Sequence, residues 1–538
     1  MSASYRILVT DDIDRDGIDV LTSETAFQVD TVPTLPSADL LERINNYDAL
    51  IGRSATRISR ELLRRGTRLR VIGRAGVGVD NIALDTATEL GVAVINAPAG
   101  NTVAVAELLF GGLLSLLRHL PLADSSMHAG RWERSRLLGS ELRGRTLGIV
   151  GLGRIGGEVA KRARAFGVTV ISYDPYVGDE RFDALHVRRA ASLADLLAAS
   201  NIITVHTPLN AETRGMIGRR EIAQLPAGAI VANLARGGII EESALVDALT
   251  DGTLFGAVID VYTAEPLAAD HPLRTATNVV LTPHIGASTA EAQRNVAVDV
   301  CVAVRDALLS GELSRSVNVA SVNGMRWEEL QPALLVARRA GAIARALLTD
   351  REVRVLSRLT LRCGSALAGG SGAILAAAAM GALEGVLDVD RLNLINARTL
   401  AESHGLELML AESSQLDHPS ALEVGLGGGV QGIVVAGVPA PGTPPRITRI
   451  GDFRVDIAPR RSLVVLTNHD VPGVIGRVGT VLGAAGVNIA EYHQARLLQG
   501  GEALAAISVD GEVNEDLRRT LLDLPDVLSA TIVHFREA

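Results

Sequence analysis

Lysine is almost missing from this 538-residue chain: Lys161 is the only one, and arginine carries the rest of the positive charge. With the abundance of Ala, Gly and Val, this reads as codon usage rather than chemistry. There is no basic tail or stripe, and the formal net charge is −9, which argues against nucleic acid as a primary partner. An anionic ligand must therefore be held by arginines placed locally. Cysteine is nearly as scarce. Cys301 and Cys363 stand in neither metal nor redox spacing, so no metal site is expected and a reduced, cytoplasmic setting is. The opening stretch "MSASYRILVTDD" enters a strand at once and lacks the charged and apolar parts of a signal peptide. One uncharged run, Ser365–Leu383, approaches membrane-spanning length, but Ala and Gly supply little transfer energy, and Arg362 and Glu384 bracket it. A close-packed helix with no membrane partner is expected there.

What is present is the balance of a globular protein, 47% hydrophobic and 21% charged, in a chain too long for one core. Two to four domains follow. From Tyr5 to about Asn101, "RILVTDD", "FQVDTV", "DALIGRSA", "LRVIGRAG" and "GVAVINAP" read as short apolar strands alternating with helices, the pattern of a parallel sheet. A helix over "TVAVAELLFGGLLSLLRHL" leads to six more strands: "TLGIVGLG", "TVISYDP", "NIITVHTP", "AIVANLARG", "GAVIDVY" and "NVVLTPH". The expected fold is therefore α/β, with two doubly wound parallel-sheet domains of Rossmann or flavodoxin type. The helix "EAQRNVAVDVCVAVRDALLSG" should run back to the first domain, which makes that domain discontinuous, 1–99 with 285–317, around an inserted 100–284. An Ala- and Gly-rich α+β intervening domain is expected over 318–457, with "PAPGTPPRITRIGDF" as a loop bordering the next unit. Residues 461–538 spell β-α-β-β-α-β, a small ferredoxin-like unit.

"GLGRIG", Gly151 to Gly156, lies between the strand "RTLGIV" and the helix "GEVAKRARAF". In that setting Gly151 permits the tight turn, Gly153 admits a pyrophosphate to the backbone, and Gly156 allows close helix–strand contact. The pyrophosphate sits on the helix N-terminus. Asp174 ends the next strand, where a carboxylate accepts from both adenosine ribose hydroxyls and repels a 2′-phosphate. Pro175 and Tyr176 follow it rather than Arg, so NAD is favoured over NADP.

Three polar residues sit at the carboxyl ends of the last strands: Arg236 after "AIVANLA", Glu265 after "GAVIDVYTA" and His284 after "NVVLTP". Together they suit oxidation of a 2-hydroxy acid. An imidazole suits the removal of a hydroxyl proton near neutral pH, which makes His284 the candidate base. Glu265 on the other ring nitrogen fixes the tautomer and stabilises the imidazolium. Arg236 presents a planar fork to a carboxylate or developing carbonyl. The first domain adds polar turns with Arg53 in "GRSA", Arg74 in "GRAGVGVDN" and Asn101 in "NAPAGNT"; the GxG there is read as a turn. Two extra cations exceed the needs of a monocarboxylate and match a phosphorylated acid.

"GLGRIG", "LARGG", "DVYTAEP" and "TPHIGAST" resemble the D-isomer-specific 2-hydroxyacid dehydrogenases over about Tyr5 to Val317. That resemblance implies Arg236, Glu265 and His284 as catalytic residues. It also implies NAD contacts at Val77, Arg154, Ile155, Asp174, Thr207, Leu234, Arg236, Asp260 and His284, Ile285, Gly286 and Ala287. Val77 stands where relatives sometimes have a hydroxyl. "LIGRSAT", "IGRAGVGVDN" and "NAPAGNTVAVAE" resemble the branch of the family that oxidises 3-phosphoglycerate to 3-phosphooxypyruvate at the entry to serine biosynthesis. The resemblance puts its substrate on Arg53, Arg74, Asn101, Arg236 and His284. "LTNHDVPGVIGRVG" and "GVNI" resemble the ACT domain, which binds small amino acids where two copies pair edge to edge. By position Asn468, Asp470 and Asn488 would then contact L-serine as a feedback inhibitor, in a homo-oligomer expected to be a tetramer. Another D-2-hydroxy acid dehydrogenase, acting on glycerate or 2-hydroxyglutarate, and an NAD-sensing protein without turnover are the alternatives.

Overall fold

The structure is a computed structural model; it describes residues 4–535 apart from 321, 323–324, 386–390, 412–415, 417 and 440–443. Strands Tyr5–Val9, Phe27–Thr31, Ala49–Gly52, Val71–Arg74 and Ala93–Asn96 form a parallel sheet in the order second, first, third, fourth, fifth. Ala49–Gly52 is buried throughout, as a strand covered on both faces must be. The cover on one face includes the helix Ala290–Ser310, which returns from the far end of the second sheet and packs on the helix Arg15–Thr22 and the strand Val71–Arg74. Strand order reverses between the first and third strands, which opens a crevice beyond their carboxyl ends at Asp11 and Arg53.

The second sheet is also parallel. Its strands Thr146–Val150, Thr169–Tyr173, Arg188–Arg189, Ile202–Val205, Ala229–Asn233, Leu254–Ile259 and Val279–Leu281 lie in the order third, second, first, fourth to seventh. The sequence predicts six strands. The additional one, Arg188–Arg189, is a two-residue edge strand with both side chains exposed, so it carries no apolar signal. The helix expected across 102–120 stops at Leu117. His119 turns left-handed (φ 51°) and a second helix, Leu120–His128, leaves at 66°. Pro121 explains the break, because its ring in a continuous helix would strike the Leu117 carbonyl.

Six strands build the third, mixed sheet, in the order Glu407–Leu410, Arg358–Cys363, Leu422–Gly428, Gln431–Val438, Arg446–Ile450, Phe453–Ile457. The loop expected over Pro439–Phe453 is corrected here. Residues 440–443 lie outside the described ones, and the rest forms a hairpin turning at Gly451 (φ 57°), with Ile447, Ile450, Val455 and Ile457 buried. The run of Pro and Gly ahead of "RITRI" hid its alternation. Behind this sheet, Trp327–Asp350 packs on Ser371–Leu383, the uncharged run, which is a largely buried helix after a short 3-10 turn. Glycines bring the two axes together: a Cβ at Gly381 would fall 1.8 Å from the Arg338 carbonyl oxygen, and one at Gly341 2.2 Å from that of Ala378.

The last unit has strands Ser462–His469, Ile489–Arg496, Glu502–Val509 and Val527–His534, ordered second, third, first, fourth, with helices Val474–Ala484 and Glu515–Leu522: the ferredoxin-like arrangement. Leu463, Val465, Ala506 and Val533 share one core with Leu330 and Val336 of the long helix. The intervening unit touches the first sheet as well. Asn393 Nδ2 donates to the Gly91 carbonyl at 2.7 Å, Arg391 to that of Gly66 at 3.0 Å, and Ile395 enters the first sheet's core. Gly381→Val is expected to destabilise the intervening unit by about 1–3 kcal/mol through overpacking. Calorimetry checks this; an unchanged unfolding temperature would mean the helices have room to spare.

Candidate active site

Two crevices face each other, one beyond the carboxyl ends of each parallel sheet. In the second sheet the switch point lies between Thr146–Val150 and Ile202–Val205. Gly151 there has φ 94°, and an added Cβ would meet the His206 carbonyl oxygen at 2.7 Å, so the turn excludes any side chain. Gly153, by contrast, faces open space, with no atom within 4 Å of an added Cβ. It lies directly ahead of the helix Arg154–Ala165, where unpaired N–H groups favour an anion. Asp174 is fixed by two backbone donors, Leu152 N–H at 2.8 Å and Tyr176 N–H at 2.9 Å. The Thr207 hydroxyl is buried without a protein partner, the condition of a polar group that meets a ligand. Arg154 is exposed, Ile155 half-buried and Leu234 buried along the same crevice. These features fit NAD. Behind them, burial holds the His206 imidazole down to about 4, so it is neutral at physiological pH.

Arg236, Glu265 and His284 follow three adjacent strands. Gly237 lets the first two ends close up, because a Cβ there would fall 1.9 Å from the Tyr262 carbonyl oxygen. His284 has φ 54°, a left-handed conformation rare outside glycine. Its Nδ1 lies 2.7 Å from Glu265 Oε2, and Glu265 Oε1 accepts from the Tyr262 N–H at 3.0 Å. With Glu265 ionised, that network assigns the proton to Nδ1 and leaves Nε2 as the acceptor facing outward. Asp260 is fully buried and holds the loop beyond His284. Its two oxygens accept from the Thr282 hydroxyl, from Ile285 N–H at 2.8 Å and from Gly286 N–H at 2.8 Å. Gly286 in turn sits against Val105, in the helix that begins after Asn101. Ile285 is exposed and Ala287 half-buried.

The first sheet supplies the other wall. Asp11, buried and left-handed (φ 66°), accepts from Arg53 N–H at 2.7 Å and Thr56 N–H at 2.9 Å, while Asn81 Nδ2 donates to the Arg53 carbonyl at 2.9 Å. Arg74 is largely buried, and its Nε has no hydrogen-bond partner. Burial, then the neighbouring charges of Arg236 and Arg53, hold its guanidinium down to about 10, still cationic at neutral pH. The Asn101 side-chain Oδ1 is likewise buried and unpartnered at the start of the helix Thr102–Leu117. The Val77 carbonyl accepts from Asn96 Nδ2.

Arg53, Arg74 and Arg236 are thus brought together, as are His284 and Glu265. Asn468, Asp470 and Asn488 are not gathered within one chain. Asn468 pairs with Ala503 across the sheet, whereas Asn488 adjoins Ile489, which pairs with Val509. Six residues of strand separate those levels, about 20 Å. Asn468 is buried with its amide on the His469 carbonyl, Asp470 accepts from Gly500 N–H and Arg496, and Asn488 donates to Asp510 at 2.7 Å. The Gly500 N–H, then Arg496, lower the Asp470 pKa.

Several residues escaped sequence reasoning. Asp80 pairs with Arg236, and Glu242 steadies the Glu265 loop by accepting from Thr263 N–H at 2.6 Å with His271 Nε2 3.2 Å away. The glycines of "GVGVD" make room for guanidinium groups: a Cβ at Gly76 would fall 1.3 Å from Arg74 Nη1, and one at Gly78 1.9 Å from Arg236 Nη2. The alternate glycines beside an arginine were the signal for this.

Comparison with known proteins agrees with this geometry. The D-isomer specific 2-hydroxyacid dehydrogenase, NAD binding domain, matches residues 110–286, and the ACT domain matches 462–526. The chain is 35% identical over 530 residues to D-3-phosphoglycerate dehydrogenase of Methanocaldococcus jannaschii, covering 98% of this chain and 99% of that one. It is 36% identical over 534 residues to the Bacillus subtilis protein of the same name, with the same coverage. Among solved structures, the TT0316 protein from Thermus thermophilus superposes with a TM-score of 0.54 at 35% identity, over 58% of this chain and 99% of that one. NAD-dependent formate dehydrogenase from Staphylococcus aureus in complex with NAD does so with a TM-score of 0.51 at 28% identity, over 57% and 96%. The chain belongs to the D-3-phosphoglycerate dehydrogenases of the D-isomer specific 2-hydroxyacid dehydrogenase family and is an NAD-dependent dehydrogenase.

Proposed function

We propose that the protein oxidises 3-phospho-D-glycerate at C2 to 3-phosphooxypyruvate, the first committed step of L-serine biosynthesis. The observation that carries this reading is the gathering of Arg53, Arg74 and Arg236 at the cleft, with Arg74 half-buried and its Nε unpartnered. A cation in that state needs an anion, and three guanidinium groups match a substrate bearing both carboxylate and phosphate. Arg236 takes the carboxylate; Arg53 and Arg74 take the phosphate, with the Asn101 amide beside them.

Bound NAD supplies the nicotinamide ring that accepts hydride from C2. His284 Nε2 takes the C2 hydroxyl proton as the carbonyl forms. Glu265, on Nδ1, stabilises the imidazolium and keeps the ring turned toward the substrate. Asp174 accepts from the adenosine ribose, the helix after Gly153 faces the pyrophosphate, and Thr207 and Leu234 line the crevice. Asp260 acts by holding the 282–286 loop, since both its oxygens are engaged there.

Feedback by L-serine through the ACT unit is part of the proposal. Asn488 lies too far from Asn468 and Asp470 to share a ligand within one chain, so the site is composed between two copies. An apolar surface elsewhere supports a homo-oligomer, with a tetramer as the simplest assembly using both this surface and the ACT contact. Leu120, Leu122, Met127, Trp132 and Leu138 stand exposed around the helix Leu120–His128, Trp132 at 80% and Leu138 at 89%. The two cysteines, both free and buried, accord with the cytoplasm.

His284→Ala is expected to cut turnover about 100-fold or more with NAD affinity retained. Steady-state NADH formation checks this, and near-normal turnover would reject the role of base. For Arg53→Ala, KM should rise far more for 3-phosphoglycerate than for unphosphorylated glycerate; equal changes would remove the phosphate assignment. Added L-serine should slow NADH formation from 3-phosphoglycerate, and Asn488→Ala should relieve that inhibition. A rate indifferent to L-serine would leave the ACT unit without this role.

A further inference from the structure

Asp80 is a cleft carboxylate that the reaction above does not use. Asp80 ends the "GVGVD" turn of the first sheet, and Arg236 ends a strand of the second, 156 residues away. Asp80 Oδ2 accepts from Arg236 Nε at 3.0 Å, and Arg236 Nη1 donates to the Ala235 carbonyl at 2.6 Å. Two of the three guanidinium nitrogens are therefore tied, and these two bonds fix the plane of the group. Nη2 makes no hydrogen bond among the described residues. The backbone has been cleared for this arrangement, because a Cβ at Gly78 would fall 1.9 Å from Nη2 and 2.7 Å from Asp80 Oδ2.

An ion pair this exposed, with the Asp80 side chain at 62%, adds little to folding stability. Its effect is on orientation. A planar fork recognises a carboxylate only when its plane is set, and a lost bond at Nε frees the group to rotate. The two partners belong to opposite walls of the cleft, so the bond also forms only when those walls stand at this separation. We propose that Asp80 is a positioning residue for Arg236: its carboxylate clamps Nε from across the cleft and turns the free Nη2 edge toward the substrate. This rests on the reading of Arg236 as the ligand of the substrate carboxylate.

The test is a double-mutant cycle on the full-length enzyme with Asp80→Ala, Arg236→Ala and both together, using 3-phosphoglycerate as substrate. Asp80→Ala alone should lower kcat/KM about 10-fold, mostly through KM, as expected for contacting partners. NAD affinity of Asp80→Ala, read by fluorescence titration, should stay within about twofold, because Asp80 is not among the expected NAD contacts. Asp80→Glu should recover part of the loss. In the Arg236→Ala background, removing Asp80 should change nothing further. An equal loss in both backgrounds, or an unchanged kcat/KM in Asp80→Ala, would overturn the inference while leaving the proposed reaction intact. Near-normal kcat/KM in Arg236→Ala alone would overturn the reading of Arg236 itself, and this inference with it.

Discussion

A carboxylate shut off from water governs the geometry of the site. Asp260 is fully buried, and a charge in that position is tolerated only when its lone pairs are all engaged. The chain meets that demand by wrapping residues 282–286 around it, and the wrap turns His284 left-handed. Such a conformation costs about 1 kcal/mol or more for a residue with a Cβ. Buried hydrogen bonds to a charged acceptor more than offset it. The imidazole is thus aimed by an acid that never needs to touch the reacting atoms, and Glu265 completes the aim from the other side.

The opposite wall crowds guanidinium groups against one another, with Arg236 paired to Asp80. Arg74 is kept from water and shifted down by burial and by two like charges. Its Nη1 reaches the Ala75 carbonyl at 3.4 Å, while its Nε is left without a partner, a buried donor that an anion would satisfy. Asp11 is directed to backbone N–H groups instead, where it shapes the Arg53 turn.

Much of this was legible because the chemistry sits where a strand stops and a turn begins. "GLGRIG", "LARGG", "DVYTAEP" and "TPHIGAST" each combine an apolar run with an abrupt polar end, and the rule of carboxyl-end crevices places them together. Asp80 was not legible in that way. Its significance depends on a meeting of two sheets, and sequence shows only a turn. Asn468 and Asn488 were expected on a ligand held between two copies; their places at opposite ends of the sheet within one chain come from strand register, which cannot be read from residue types. The 446–457 hairpin was hidden by the Pro-rich stretch before it, which outweighed five residues of alternation. The bend at His119 needed attention to one proline inside an otherwise unbroken apolar helix.

The ferredoxin-like unit and the long helix Trp327–Asp350 do not have separate interiors. Leu463, Val465, Ala506 and Val533 interlock with the helix side chains, and Arg339 bridges to Pro459 and stacks on Phe535. Two bodies that share one interior move as one body. A twist imposed on the terminal sheet would therefore disturb the packing of the intervening layer as well. From there it reaches the N-terminal sheet through the asparagine-rich peg at 391–396, whose grip on Gly91 lies at the rim opposite the cleft. The ACT unit is thus joined by continuous contacts to the end of the first sheet that lies away from the cleft.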